Sequence, residues 1–235
     1  MKTWAIIGLG WLGEALAQRL ELEGHTSWGT HRSSFDVTKD DLPLIAQDVL
    51  FLNTPPIQSL APEMFANKMS ESKAQRIIFI SSTSVFGGHQ GPVDETSSPM
   101  PDTQAGHWLH ETELSLRRLL GSRLLIIRPG GLIGGARHPA RHLSGRTNIP
   151  GGQDRVNLIH RTDLISLILA TPHEIPLLHA VSSHHPTRAE YYGKWCEKLQ
   201  IPLPDFLESE TSKKVVNSRY AEKLISWQCQ QLDWL

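Results

Sequence analysis

The chain has 235 residues, with 23 Lys and Arg against 24 Asp and Glu and a formal net charge of −1. That length suits one large α/β domain, or a core with a small cap, and the balanced charge offers no footing for nucleic acid or an anionic membrane. No apolar stretch approaches membrane-spanning length, and Gly8 interrupts the opening apolar run too early for a signal segment, so a cytoplasmic chain is expected. Two cysteines, Cys196 and Cys229, lie too far apart to suggest a disulfide framework. The 12 histidines are scattered, with no HExxH or Cys/His cluster, so no metal site is expected.

In chain order, "TWAIIGLG" reads as a buried strand ending in glycines, and "WLGEALAQRLELEG" as a helix with apolar residues at Leu12, Ala15, Leu16 and Leu20. "HTSWGT" is a weaker second strand, "SFDV" a peripheral strand stub, and "DVLFLNTPP" a strong strand stopped by Pro55 and Pro56. Helices are expected around 60–73 and 104–120, flanking the strand "QRIIFISSTSVFG" and preceding "SRLLIIRPGGLIGG". This alternation predicts a doubly wound parallel sheet. Beyond residue 130, "ARHPARHLSGRTNIPGGQDRV" reads as loop and short helices. There follow a helix starting near Thr162 or Asp163, a strand at "PLLHAV", an amphipathic helix at "TRAEYYGKWCEKL", and a strand and helix at "KKVVNSRYAEKLI", with Ser218 as helix N-cap. Residues 1–130, completed by 155–182, are assigned to the core; 131–154 and 183–235 form a small C-terminal cap over the carboxyl ends of the strands.

Gly8, Gly10 and Gly13 in "GLGWLG" form a GxGxxG motif, set between an apolar strand and a helix as dinucleotide binding requires. Gly8 allows the tight turn, Gly10 lets backbone approach a pyrophosphate, and Gly13 lets helix and strand pack closely. The amides at the helix start, Trp11 and Leu12, face the phosphates. An acid about twenty residues on would bond a ribose 2′-hydroxyl, but "GTHRSS" holds His31, Arg32, Ser33 and Ser34 and no acid. This window favours NADP(H) over NAD(H).

The run "ISSTSVFGGHQGPVDETSSPMP", followed by "IIRPGGLIGG", "NLIHRTDLI" and "PTRAEYYGKWCEKLQIPLP", resembles the extended short-chain dehydrogenases/reductases of the epimerase/dehydratase superfamily, over nearly the whole chain. The resemblance implies a Rossmann core binding NAD(P). It puts Ser82 in the place of the catalytic Ser/Thr, Asp36 near adenine, and Asn53, Thr54 and Pro55 beside the adenosine ribose. Ser81, Arg128 and Pro129 would lie at the cofactor, Thr83 at the substrate, and His160 and Asp163 in the segment joining cap to core. Asp163 is read as a helix N-cap. Dimers through the helices at 60–73 and 104–120 are common in the family, so a homodimer is expected.

The family's tyrosine and lysine would fall on Ala105 and Leu109, counting from Glu113, which matches a family glutamate. The only tyrosines are Tyr191, Tyr192 and Tyr220, and no lysine lies between Lys73 and Lys194, so no other register restores the pair. On that helix His107 and His110 are the imidazoles suited to proton transfer. Six arginines between 128 and 161 suggest a small anionic substrate, with Arg137 and Arg141 as its contacts. The leading reading is an NADP(H)-dependent oxidoreductase or epimerase-like enzyme with non-standard acid–base groups; the alternatives are a non-enzymatic NADP(H)-binding sensor or regulatory/interaction protein, and a fold relic that binds no dinucleotide.

Overall fold

The computed structural model describes residues 1–43, 47–135, 137–207, 213–229 and 232. Strand β1 (Thr3–Ile7) runs into helix α1 (Trp11–Leu22), then β2 (Thr26–Thr30), β3 (Val49–Leu52), α2 (Pro62–Ser70) and β4 (Arg76–Ile80). A 3-10 turn (Thr83–Phe86) leads to β5 (Gly91–Val93), the long α3 (Gln104–Leu120), β6 (Leu124–Pro129) and β7 (Gly131–Ile133). The remainder comprises α4 (Ala140–Leu143), β8 (Leu158–His160), α5 (Arg161–Ala170), β9 (Leu177–Ala180), α6 (Arg188–Lys198), β10 (Lys214–Val216) and α7 (Ala221–Leu224).

Six strands make one sheet in the order β2-β1-β3-β4-β6-β9, and every pairing in it is parallel. Its central strands are apolar on both faces because helices cover both sides. Ala5 and Ile7 face a core with α2 and α3, while Trp4 and Ile6 face one with α1 and α5. From β1 the chain steps outward to β2, then returns to the other side of β1 as β3. The crevice at this reversal, outside the carboxyl ends of the strands, is where open α/β sheets bind ligands.

Three local expectations are corrected. "SFDV" forms no strand: Ser34 and Phe35 amides bond the His31 carbonyl, and the Asp36 carboxylate accepts from the Thr38 amide and hydroxyl, so the segment turns on itself. "LLIIRPGGLI" divides at Gly130, because β7 leaves the sheet to pair with β8 in a separate ribbon. The N-cap of α5 is His160, whose Nδ1 accepts from the Thr162 amide, and not Asp163. The Asp163 carboxylate is fully buried and accepts the Gln228 and Cys229 amides at 2.8 and 3.0 Å, tying the C-terminal tail to α5.

Ser218 accepts from the Tyr220 and Ala221 amides at the start of α7, although the formal cap residue is Tyr220. Its hydroxyl also donates to Glu95, which accepts the His179 and Arg219 amides as well. One carboxylate thus fastens the C-terminal segment to the edge strand β9. Among the described residues, no helix is long and apolar enough to cross a membrane.

Candidate dinucleotide site

The glycine-rich turn meets the sheet at the β1/β3 reversal. Gly8 has φ +105°, in the region that favours glycine, and a Cβ there would run into the Asn53 carbonyl oxygen. Asn53 secures the contact from its side: its amide donates to the Ile7 carbonyl at 2.9 Å and its Nδ2 to the Gly8 carbonyl at 3.1 Å. A Cβ on Gly13 would collide with the Gly8 carbonyl, so this glycine lets α1 lie close against β1. Gly10 is different: a Cβ there meets nothing within 4 Å. Open space therefore faces the N-terminus of α1, which no side chain caps.

Beside this turn lies a cleft of about 630 Å³, whose lining includes Gly8, Arg32, Asp36, Asn53, Thr54 and Pro55. The buried Thr54 hydroxyl has no hydrogen-bond partner among the described residues and is available to a ligand hydroxyl. Arg32 is exposed at the rim and, among the described residues, forms no ion pair or side-chain hydrogen bond. Asp36 is already engaged by Thr38 and by Lys39 at 3.3 Å; these contacts, the Thr38 hydroxyl first, hold its carboxyl down at about 2. His31 and Ser33 are exposed in the same turn but do not line the cleft. The uncapped helix end, the gap above Gly10, the orphaned hydroxyl and the free guanidinium together suit a dinucleotide.

The expected reaction end is built differently from its sequence reading. Ser81 and Arg128 do not offer their side chains to a ligand. The Ser81 hydroxyl donates to Glu113, and Arg128, only 3% exposed, gives Nε (2.9 Å) and Nη2 to the same carboxylate. The Arg128 guanidinium also lies 5.0 Å from the Phe86 ring centroid. Burial forces this pairing, since an unpaired internal charge would be far costlier. Pro129 is buried within β6, paired with Ala180, and Thr83 is buried in the 3-10 turn. Ser82 is half-buried and accepts from the Ser84 amide at 3.0 Å, which fixes its rotamer at the turn.

On α3, Ala105 is half-buried and Leu109 sits in the apolar core with Trp108 and Phe65. His107 is exposed, whereas His110 is half-buried, with a buried Nδ1 that has no hydrogen-bond partner among the described residues. Of the two imidazoles, His110 is one helical turn from the buried Glu113. Arg141 is exposed on α4. Arg137 instead packs its guanidinium on the Trp11 ring at the glycine-rich turn. Sequence reasoning missed Glu95, and the partners of Asp163 and Glu113, because each of these carboxylates acts on residues distant in the chain. Among the described residues no group of three or more His, Cys, Asp or Glu could hold a metal ion.

No family model matches the chain. It is 32% identical to protein YeeZ of Escherichia coli K12, across 95% of this chain and 94% of that one. Among solved structures, the UDP-glucuronic acid 4-epimerase of Bacillus cereus, in complex with NAD, superposes with a TM-score of 0.76 at 18% identity, covering 94% of this chain and 92% of that one. The dTDP-4-dehydrorhamnose reductase of Bacillus anthracis, in complex with NADP, gives 0.69 at 16% identity, covering 92% and 88%. Both share the fold described above.

Proposed function

We propose that this chain, which belongs to one family with protein YeeZ of Escherichia coli K12, is a member of the extended short-chain dehydrogenase/reductase superfamily, binds NADP(H) and acts as an oxidoreductase or epimerase-like enzyme on a small anionic substrate. The observation that carries the proposal is the cleft at the β1/β3 reversal, rimmed by an unpaired Arg32, with no acid where a 2′-hydroxyl would be read. The names of two similar structures, an epimerase with NAD and a reductase with NADP, agree with a nicotinamide dinucleotide.

The dinucleotide would supply the hydride donor or acceptor. The first amides of α1 would hold its pyrophosphate, Thr54 its adenosine ribose, and Arg32 the 2′-phosphate. Where the family has a phenol and an ammonium, this chain has Ala105 and Leu109. The proton that accompanies hydride transfer is assigned to His110, the half-buried imidazole of α3, with the Ser82 hydroxyl polarising the substrate oxygen.

Paired titrations with NADPH and NADH on the wild type and Arg32→Ala test the cofactor assignment. Loss of one charge-assisted phosphate contact should weaken NADPH roughly 10-fold and leave NADH unchanged. An unchanged NADPH/NADH ratio overturns the 2′-phosphate site. For the chemistry, small phosphorylated or carboxylated alcohols and ketones are assayed at 340 nm. Activity that survives intact in both His110→Ala and Ser82→Ala removes the proton-transfer assignment, and no turnover with any compound removes the enzymatic one.

A further inference from the structure

Trp11, between the second and third glycines of the turn, draws in two cations from elsewhere in the chain. The Arg137 guanidinium carbon lies 4.8 Å from the Trp11 ring centroid, and that of Arg161 lies 4.5 Å away. Arg161 also donates from Nη1 to the Trp11 carbonyl at 3.0 Å.

The fold delivers both arginines through one device. In the β7–β8 ribbon Ile133 pairs with His160, so Gly134 and Arg161 follow at matching positions. Gly134 and Arg137 exchange backbone hydrogen bonds of 3.3 and 3.1 Å across a turn in which Gly134 and Gly135 have φ of 135° and 56°. A Cβ on Gly134 would sit 2.7 Å from His160 Nε2, so the turn is seated on the residue next to Arg161.

Two guanidiniums on one indole repel each other, and the partial positive charge of the α1 N-terminus adds to them. Among the described residues neither arginine has an ion pair. The Asp163 carboxylate, two residues from Arg161, is spent on the Gln228 and Cys229 amides. Cation–π contact with Trp11 offsets part of the repulsion, and the exposed Glu14 in the first turn of α1 balances one of the two guanidiniums, leaving one positive charge in excess.

We propose that Arg137 and Arg161, held on Trp11 beside the start of α1, would form a clamp for the pyrophosphate of the dinucleotide. The proposal rests on the cofactor reading above. A doubly charged pyrophosphate matches two guanidiniums beside a helix end better than a single carboxylate would, because each phosphate can take one fork. It moves Arg137 from substrate contact to cofactor contact, and makes cofactor binding sensitive to how the β7–β8 ribbon lies against α1.

Calorimetric titration of the wild type, Arg137→Ala and Arg137→Lys with NADPH, NADH, ADP-ribose and adenosine 2′-monophosphate tests the clamp. Arg137 is exposed, so its removal should leave the thermal midpoint in place. Arg137→Ala is expected to weaken NADPH, NADH and ADP-ribose alike, about 10-fold, with Arg137→Lys intermediate and adenosine 2′-monophosphate, which lacks a pyrophosphate, unaffected. Unchanged ADP-ribose affinity overturns the clamp, as does equal weakening of adenosine 2′-monophosphate. If inorganic pyrophosphate binding falls in Arg137→Ala while the dinucleotides hold, the arginines serve another anion and the clamp is again overturned. A wild type that binds neither dinucleotide overturns the cofactor reading itself, an outcome distinct from all of these.

Discussion

Glu113 on α3 and Arg128 at the end of β6 form an ion pair whose side chains are 2% and 3% exposed. The same carboxylate receives the Ser81 hydroxyl from the end of β4, so one residue locks the long helix to two central strands at the edge of the candidate site.

Removing that carboxylate leaves a buried guanidinium without its partner. Glu113→Ala should lower unfolding free energy by about 3–5 kcal/mol, whereas a Glu113→Leu/Arg128→Leu double variant should recover most of the loss. Denaturant titration of the single and double variants measures the coupling. A Glu113→Ala protein as stable as the wild type would show the pair to be dispensable.

Asp163 makes a similar demand at the C-terminus. Asp163→Asn keeps the volume but weakens two charge-assisted hydrogen bonds, for an expected loss of roughly 1.5–3 kcal/mol. Hydrogen exchange should quicken selectively at the Gln228 and Cys229 amides, and limited proteolysis should trim the tail first. Uniform exchange changes across the molecule would contradict a local anchoring role.

Gly8 and Gly10 should respond oppositely to the same methyl group. Gly8→Ala drives a Cβ into the Asn53 carbonyl at φ +105°, and should cost stability outright. Gly10→Ala enters open space at φ −104° and should leave the thermal midpoint unchanged while weakening dinucleotide binding. Thermal melts run beside NADPH titrations separate the two effects.

Acid should weaken the fold above the range where carboxylates titrate. Burial, aided by the charge of Arg141, lowers the His138 imidazole to about 4, and burial also lowers His160, His179 and His185. The His138 ring is neutral in the fold down to about pH 4 but accepts a proton near pH 6.5 when the chain unfolds, and the other three shift in the same direction. Stability is therefore complete above about pH 6.5 and falls as pH drops toward 4, where His138 itself protonates. His138 Nδ1 accepts the Ala140 amide at 3.1 Å, a bond that protonation there would remove. In His138→Phe, the number of protons taken up on unfolding near pH 5 should fall by about one; an unchanged pH slope would exclude His138 as a contributor.

Much of the fold was legible because its signals are local. Apolar runs closed by Gly or Pro mark β1 and β3, the run "RIIFI" marks β4, and the glycine spacing marks the turn into α1. The missing strand at "SFDV" was not legible, since short polar side chains there closed turns rather than a ladder. The split at Gly130 depended on which partner each half found, which apolar character does not encode.

The sequence by itself determined the alternation of strands and helices, the GxGxxG turn, the absence of an acid from residues 29–34, and the lack of tyrosine and lysine on α3. All of these are properties of residue type and near-neighbour spacing. Only the tertiary structure decided that Arg128 and Ser81 turn inward to Glu113, that Asp163 holds the tail, and that Arg137 and Arg161 meet on Trp11. The physical reason is that charge partners are chosen by burial and proximity in space. An arginine's role is set by the nearest carboxylate or ring after folding, and those lie up to 150 residues away along the chain.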